Sequence, residues 1–251
     1  MHLHYIQLDD RLDAVLAAER RAPEGVRRDF RQRFVLSWLY HELAQEGFCV
    51  TESDLRRALR GCDGDDYCDG VMLRTIRRFR RAIDTLNGQA FQRTPITFET
   101  LLGYHEILTG LSGREIWRSE EGATENYKHD VIDADDVEAE LHLLCRDIER
   151  WSGMKHPIQI AIQVHYRLTQ IWPFNKYSAA VARMVANQIL VANGYSPAII
   201  HAQERQRYYH AMHYDISRMH DLVMESLQQQ IQSRERLFMT CNASRFEARA
   251  S

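Results

Sequence analysis

Proline and glycine are scarce, at 5 and 12 of 251 residues. These are the usual helix breakers, so their scarcity excludes a linker-like or collagen-like chain and leaves room for long helices. Cysteine is scarce too. Cys49, Cys62, Cys68, Cys145 and Cys241 are odd in number and contain no CxxC pair, which argues against a disulfide framework and against a zinc site. No apolar run approaches the roughly 20 residues that cross a bilayer. The opening MHLHYIQLDDRLD has no basic stretch followed by an apolar one, so neither a membrane helix nor a signal peptide is expected. The expected location is the cytoplasm, with export by a signal-less route left open. Excess charge of one sign is also missing. The 32 Lys and Arg against 35 Asp and Glu give −3, so the overall field predicts no nucleic-acid partner. The basic run RTIRRFRR, residues 74–81, is read as a solvated helix face.

What is present is helical periodicity. Residues 26–44 bring Phe30, Phe34, Leu36, Tyr40 and Leu43 toward one face, and Gly47 closes that helix. Thr51 reads as an N-cap. The segment GCDGDDYCDG, residues 61–70, is a turn-rich connection without calcium-loop spacing. Further helices are expected over 71–86, closed by Asn87-Gly88, from Thr97 or Thr94 to 108, over 133–151, over 158–171 and over 178–192. Two more are expected over 204–219 and 220–238, with a frayed polar tail from Thr240. Residues 110–130 lack a helical period and read as a loop or short hairpin. The organisation expected is an N-terminal helical region at 1–90, a core at 91–239 and a tail at 240–251. Cys49 and Cys145 sit among apolar residues and read as core thiols. The histidines at 2, 4, 210, 213 and 220 do not form a convincing ligand set, so no metal site is expected.

The feature that carries chemistry is an apolar helix, a proline-containing break and a second apolar helix: WPFNKYSAAVAR, residues 172–183. It resembles the HPFxxGNGRxxR loop of the Fic (Fido) family. His165 seven residues upstream, Leu102-Gly103-Tyr104-His105, the GREIWR stretch at 113–118, Asn193-Gly194-Tyr195 and RQRYY at 205–209 add to the resemblance. It spans about residues 35–237 and implies a mainly α Fic fold with a short β-hairpin flap. Family activity would be protein adenylyl transfer (AMPylation).

The resemblance also implies that most of the machinery is gone. The family's base, a histidine, corresponds to Trp172, and an indole has no basic nitrogen near neutral pH. The magnesium-holding acidic residue corresponds to Lys176, which cannot ligate a cation. The phosphate-cradling Gly-Asn-Gly corresponds to Tyr177-Ser178-Ala179, and Tyr and Ala resist the left-handed dihedrals of such a nest. The first arginine corresponds to Ala180, and only Arg183 survives. Pro173 and Phe174 are kept. Asn175, Lys176, Tyr177, Ser178 and Arg183 remain as candidate ligand-binding residues. Lys176 and His165 are the candidates for any remaining catalysis, although His165 reads first as a core histidine.

Glu42-Leu43-Ala44-Gln45-Glu46-Gly47 resembles the family's inhibitory motif (S/T)xxxE(G/N), with Glu42 in the Ser/Thr position. That resemblance implies an ion pair between Glu46 and Arg183. Its role is left open between a block on a nucleotide pocket and a structural bridge. The expectation is therefore a degenerate member acting by binding, with no cofactor and magnesium binding lost, a nucleotide being left open. A protein partner is expected through the flap, with Ile116 at its start and Val131 at its end. A homodimer is one arrangement the family leaves open. The rival expectation is an enzyme with redirected, metal-independent chemistry on a nucleotide, sugar-nucleotide or small anionic metabolite.

Overall fold

The computed structural model describes residues 2–60, 70–113, 116–118 and 131–250, with backbone only for 2, 3 and 242–250. Ten α-helices make up these residues: α1 (His2–Arg21), α2 (Glu24–Gln45), α3 (Glu52–Leu59), α4 (Val71–Gln92), α5 (Phe98–Thr109), α6 (Val137–Trp151), α7 (Pro157–Ile171), α8 (Ser178–Ala192), α9 (Arg205–His213) and α10 (Ile216–Ala250). The axis of the fold is α8, whose residues from Ser178 to Leu190 are all buried. A helix that is apolar all round has to be enclosed. The small side chains of Ala179, Ala180, Ala182 and Ala186 let neighbours approach closely. Helix α7 makes the most extensive packing against it and α4 the next, with α5 alongside.

The two apolar helices have the boundaries that their sequences predict. His156 caps α7, accepting a hydrogen bond from the Ile158 N–H, and Pro157 follows at the first helical position, where its missing N–H is not needed. Thr51 and Thr97 each close a capping box, on α3 and α5.

Elsewhere the helices run differently from the sequence reading, for identifiable reasons. Helix α4 passes through Asn87-Gly88 and stops only at Arg93, which adopts the left-handed region at φ 53°. Leu86 and Ala90 are both buried, and that burial outweighs the ~1 kcal/mol penalty of a mid-helix glycine. On α2 the buried stripe is Trp38, Leu39, Glu42 and Leu43, while Tyr40 is exposed, because it lies on the far side of the 3.6-residue wheel. Helix α9 ends at His213, and α10 then continues to Ala250 without the frayed end expected from Thr240. Helix α1 falls in the helical region expected at 1–90, where the sequence reading assigns no helix before residue 26. It packs on α10 through Tyr5, Leu8, Leu12 and Val15. One apolar core runs from Tyr5 to Ile231 and so joins the region before residue 90 to the region after it. Of the two thiols read as core, Cys145 is half-buried and Cys49 is exposed, since Cys49 follows the helix terminus at Gly47 rather than lying in an apolar face.

In the flap, residues 119–130 lie outside the described residues. Among the described residues, the sheet-like pairing is a single antiparallel bridge between Trp117 and Phe174. No helix among the described residues is long and apolar enough to cross a membrane.

Candidate functional site

The break between α7 and α8 is a tight, mostly buried loop. Helix α7 ends on Trp172, which is buried and left-handed at φ 47°. Phe174 is fully buried, with its ring stacked on His105 at 4.3 Å and on Trp117 at 5.6 Å. Ser178 fastens the loop: its Oγ donates to the Phe174 carbonyl at 2.9 Å and accepts from the Phe174 N–H at 2.8 Å. Residues 116–118 lie alongside. The Arg118 N–H donates to the Pro173 carbonyl at 3.1 Å, and the Asn175 N–H donates to the Ile116 carbonyl at 3.0 Å. The Arg118 guanidinium also reaches the Ile132 carbonyl.

Asn175 and Lys176 point outward and are exposed. Tyr177 departs from the sequence expectation. It adopts the left-handed region at φ 63° despite its bulk, a conformation that costs a non-glycine residue about 1–2 kcal/mol. Its ring packs edge-on against Phe79 at 5.4 Å, and that contact offsets the strain. Burial pushes the Tyr177 hydroxyl pKa up, reinforced by the negative charge of Glu46 and opposed by Arg78.

Below the loop lies a buried charge cluster. Arg183 is 1% exposed, and its Nε donates to Glu42 Oε2 at 2.7 Å while Nη2 donates to Glu46 Oε1 at 2.8 Å. The ion pair expected between Glu46 and Arg183 is thus formed. Glu42, read from sequence only as a departure from a serine or threonine, is a second partner. Trp38 Nε1 holds the other Glu42 oxygen at 3.1 Å. Arg183 Nη1 donates to the Tyr208 hydroxyl at 3.4 Å, and that hydroxyl lies 2.8 Å from His165 Nε2. A guanidinium only donates, so the Tyr208 oxygen accepts from Arg183, and the direction of the bond between Tyr208 and His165 Nε2 follows the imidazole's tautomer.

The electrostatics follow from burial. Desolvation, with the Arg183 charge adding to it, pushes His165 down to about 3. His105 is pushed down to about 4 by burial, against a backbone hydrogen bond at Lys176. Burial raises the Glu46 carboxyl, Arg183 pulls it back and Glu42 raises it again, with the net direction upward. The cluster is also sterically closed. Gly47 follows Glu46 at φ +87°, and a Cβ there would sit 3.3 Å from Arg205 Nη2.

The residues singled out from sequence thus fall into two sets. Arg183, His165 and Ser178 are buried, Glu46 has a side chain 8% exposed, and Arg183, Glu46 and His165 share one network. Asn175 and Lys176 are at the surface, and Tyr177 bridges the two sets. A cavity of about 10 Å³ touches His165 and Arg183 from the side of Val223, at the lower limit for one water. Tyr208, Glu42 and Trp38 complete the network. A signal for Glu42 existed, because an i, i+4 pair of glutamates inside an apolar helix face needs a cation. No group of three His, Cys, Asp or Glu side chains among the described residues is arranged to hold a metal ion.

Comparison with known proteins adds the lineage. Residues 95–190 match the model of the Fic/DOC family. The chain is 28% identical over 217 residues to the protein adenylyltransferase Fic of Drosophila grimshawi, covering 82% of this chain and 42% of that protein. It is 27% identical to the protein of the same name from Drosophila virilis, with the same coverage. It thus spans about two fifths of the length of these relatives. In fold it matches a Fic domain containing signaling protein from Bacteroides thetaiotaomicron, with TM-score 0.74 and 14% identity over 92% of this chain and 97% of the other. It also matches Fic-1 from C. elegans, with TM-score 0.67 and 20% identity over 93% of this chain and 73% of the other.

Proposed function

We propose that this chain, whose residues 95–190 are a Fic/DOC-family domain, is a degenerate member that works by binding and does not transfer adenylyl groups by the family mechanism. The observation that carries this reading is Trp172, buried at the end of α7 where the resemblance assigns the family's base. An indole nitrogen donates and cannot accept a proton near neutral pH. The nearby imidazoles do not substitute. His165 and His105 are held near 3 and 4, far below the pKa near 7 that makes an efficient general base. Arg183, which the family uses toward phosphate, has its guanidinium turned to Glu42, Glu46 and Tyr208.

Magnesium does not fit the loop. Lys176 occupies the position of the acidic ligand, and an ammonium repels a cation. Relatives of this chain carry the name protein adenylyltransferase, and here that activity is ancestral rather than retained. The binding role is assigned to the flap that begins at Ile116. Its first residues already pair with the loop at 173–175 through backbone hydrogen bonds, the arrangement by which an extended segment presents a further edge to a peptide.

The test is label transfer. The purified chain is incubated with ATP labelled on the α-phosphate, with and without magnesium, alone and with a total protein extract. The expected result is no label on any protein, and no gain on Trp172→His alone. Label incorporation by the wild-type chain overturns the proposal. A thermal-shift screen with ATP, UDP-sugars and CDP-choline runs beside it. A metal-independent shift abolished by Lys176→Ala would transfer the function to the redirected-enzyme reading, for which the exposed Lys176 is the available group.

A further inference from the structure

Away from the α7–α8 loop, three helices converge on a groove of about 740 Å³. Its walls are mostly arginine. Helix α2 supplies Arg28, Arg31 and Arg33, helix α3 and its C-cap supply Arg56 and Arg60, and helix α4 supplies Arg80, with Asp29 an acidic residue among them. Three of these guanidinium groups are already committed: Arg31 to Glu24 at 2.6 Å, Arg56 to Glu52 at 2.6 Å and Arg80 to Asp84 at 2.8 Å. Arg28, Arg33 and Arg60 are exposed and have no ion-pair partner among the described residues. Gathering like charges costs self-repulsion. A chain with a net charge of −3 nevertheless places six arginines around one depression.

We propose that this groove is a docking site for an acidic, partly apolar peptide segment of a protein partner. Charge complementarity sets the sign of the occupant, since free guanidinium groups hold carboxylates in paired hydrogen bonds. The lining sets the class. Val35, Leu36 and Leu59 contribute apolar surface between the arginines, which suits side chains such as leucine interleaved with glutamate. Among the described residues the lining holds no aromatic ring, which leaves those residues without the stacking platforms on which single-stranded bases bind. Arg28 to Leu36 on α2 spans about 12 Å at 1.5 Å per residue, the length of two turns of a docked helix. The site lies along the N-terminal half of α2, whereas Glu42 and Glu46 lie at its C-terminal end, and it is independent of the reading of Trp172.

The experiment is fluorescence anisotropy on the full chain with a labelled synthetic peptide of Glu-Glu-Leu repeats, at about 0.05 and about 0.15 M salt. A scrambled Lys-Lys-Leu peptide and a single-stranded oligonucleotide of equal negative charge serve as comparison probes. The expected result is saturable binding of the acidic peptide, weakened by salt and reduced at least about tenfold by Arg28→Glu/Arg33→Glu/Arg60→Glu. These three side chains are exposed, so the melting temperature of the variant should stay close to that of the wild type, and that measurement separates lost binding from lost folding. The same titration on Asp63→Asn/Asp65→Asn/Asp66→Asn/Asp69→Asn controls for the chain's own aspartates next to Arg60. Absence of binding in both backgrounds overturns the proposal. So does binding that the triple arginine variant leaves unchanged, or tighter binding of the oligonucleotide.

Discussion

Replacing Arg183 by methionine removes the one cation between two buried carboxylates. Glu42 and Glu46 are 2% and 8% exposed, and both hold Arg183 within 2.8 Å. Methionine keeps most of the volume, so the cost is electrostatic rather than a cavity. Breaking a buried pair from one side costs about 3–5 kcal/mol, because a charge is left uncompensated in a poor solvent. For a chain of this size that corresponds to a melting temperature lower by roughly 6–20 °C. The loss should depend on pH. Glu46 already has a raised carboxyl pKa in the native protein, through burial set against Arg183, and without the cation it must rise further. A group whose folded pKa lies above its unfolded value holds more protons folded than unfolded, so stability falls as pH rises between those two values. The penalty of Arg183→Met should therefore be complete above the raised folded pKa and should shrink as pH falls through it toward the ordinary carboxyl range. Urea unfolding followed by circular dichroism at pH 8 and pH 5, each against wild type, measures the difference. Adding Glu46→Gln to Arg183→Met should recover about 1–3 kcal/mol at pH 8 as coupling between neighbours. A variant within about 1 kcal/mol of wild type at pH 8, with no recovery from the second change, refutes the view that the cluster is a closed, mutually dependent charge network.

Two further outcomes follow from the same region. Gly47→Ala should destabilise by about 1–2 kcal/mol, because the residue sits at φ +87° with Arg205 Nη2 3.3 Å from the new Cβ; thermal unfolding checks this, and an unchanged midpoint contradicts it. Tyr208→Phe removes the hydroxyl between Arg183 and His165 and should cost about 1–3 kcal/mol, with the His165 ring resonances in NMR moving while those of the exposed histidines stay fixed.

The fold was readable where local rules and burial agree. Pro157 after His156, Thr51 and Thr97 as caps, and the apolar runs of α7 and α8 all specify their helices locally, and the chain obeys them. The reading failed where a tertiary contact overrides a local signal. Asn87-Gly88 looks like a stop, but Leu86 and Ala90 are buried on either side of it, in a helix that packs on α8. Tyr177 looks incompatible with a left-handed turn, but Phe79 provides the packing that holds it there. Helix α1 carries its signal in the spacing of Tyr5, Leu8, Leu12 and Val15, an i, i+3, i+7, i+10 pattern of buried residues. In the site, the Glu46–Arg183 pair was visible because two motifs constrain both of its ends. The part played by Tyr208 was not, since a hydrogen bond across 25 residues of chain leaves no trace in local pattern.

The loop separates structural from chemical roles by depth. Pro173, Phe174 and Arg183 are buried and contribute to packing or to the charge cluster, so replacing any of them would be felt as stability. Asn175 and Lys176 face solvent, where a substitution changes charge and ligand affinity at little cost to the fold. Ala180 has the opposite character. It stands where the family resemblance puts an arginine, and it is fully buried against the rest of the core. Returning a guanidinium there would overpack a closed interior, which typically costs 1–3 kcal/mol, and would put a second cation into the same enclosed region as Arg183. Single reversions at Trp172 or Lys176 thus meet a core that has closed behind the loop. The Glu42–Arg183–Glu46 cluster then reads as a support that joins α2 to α8.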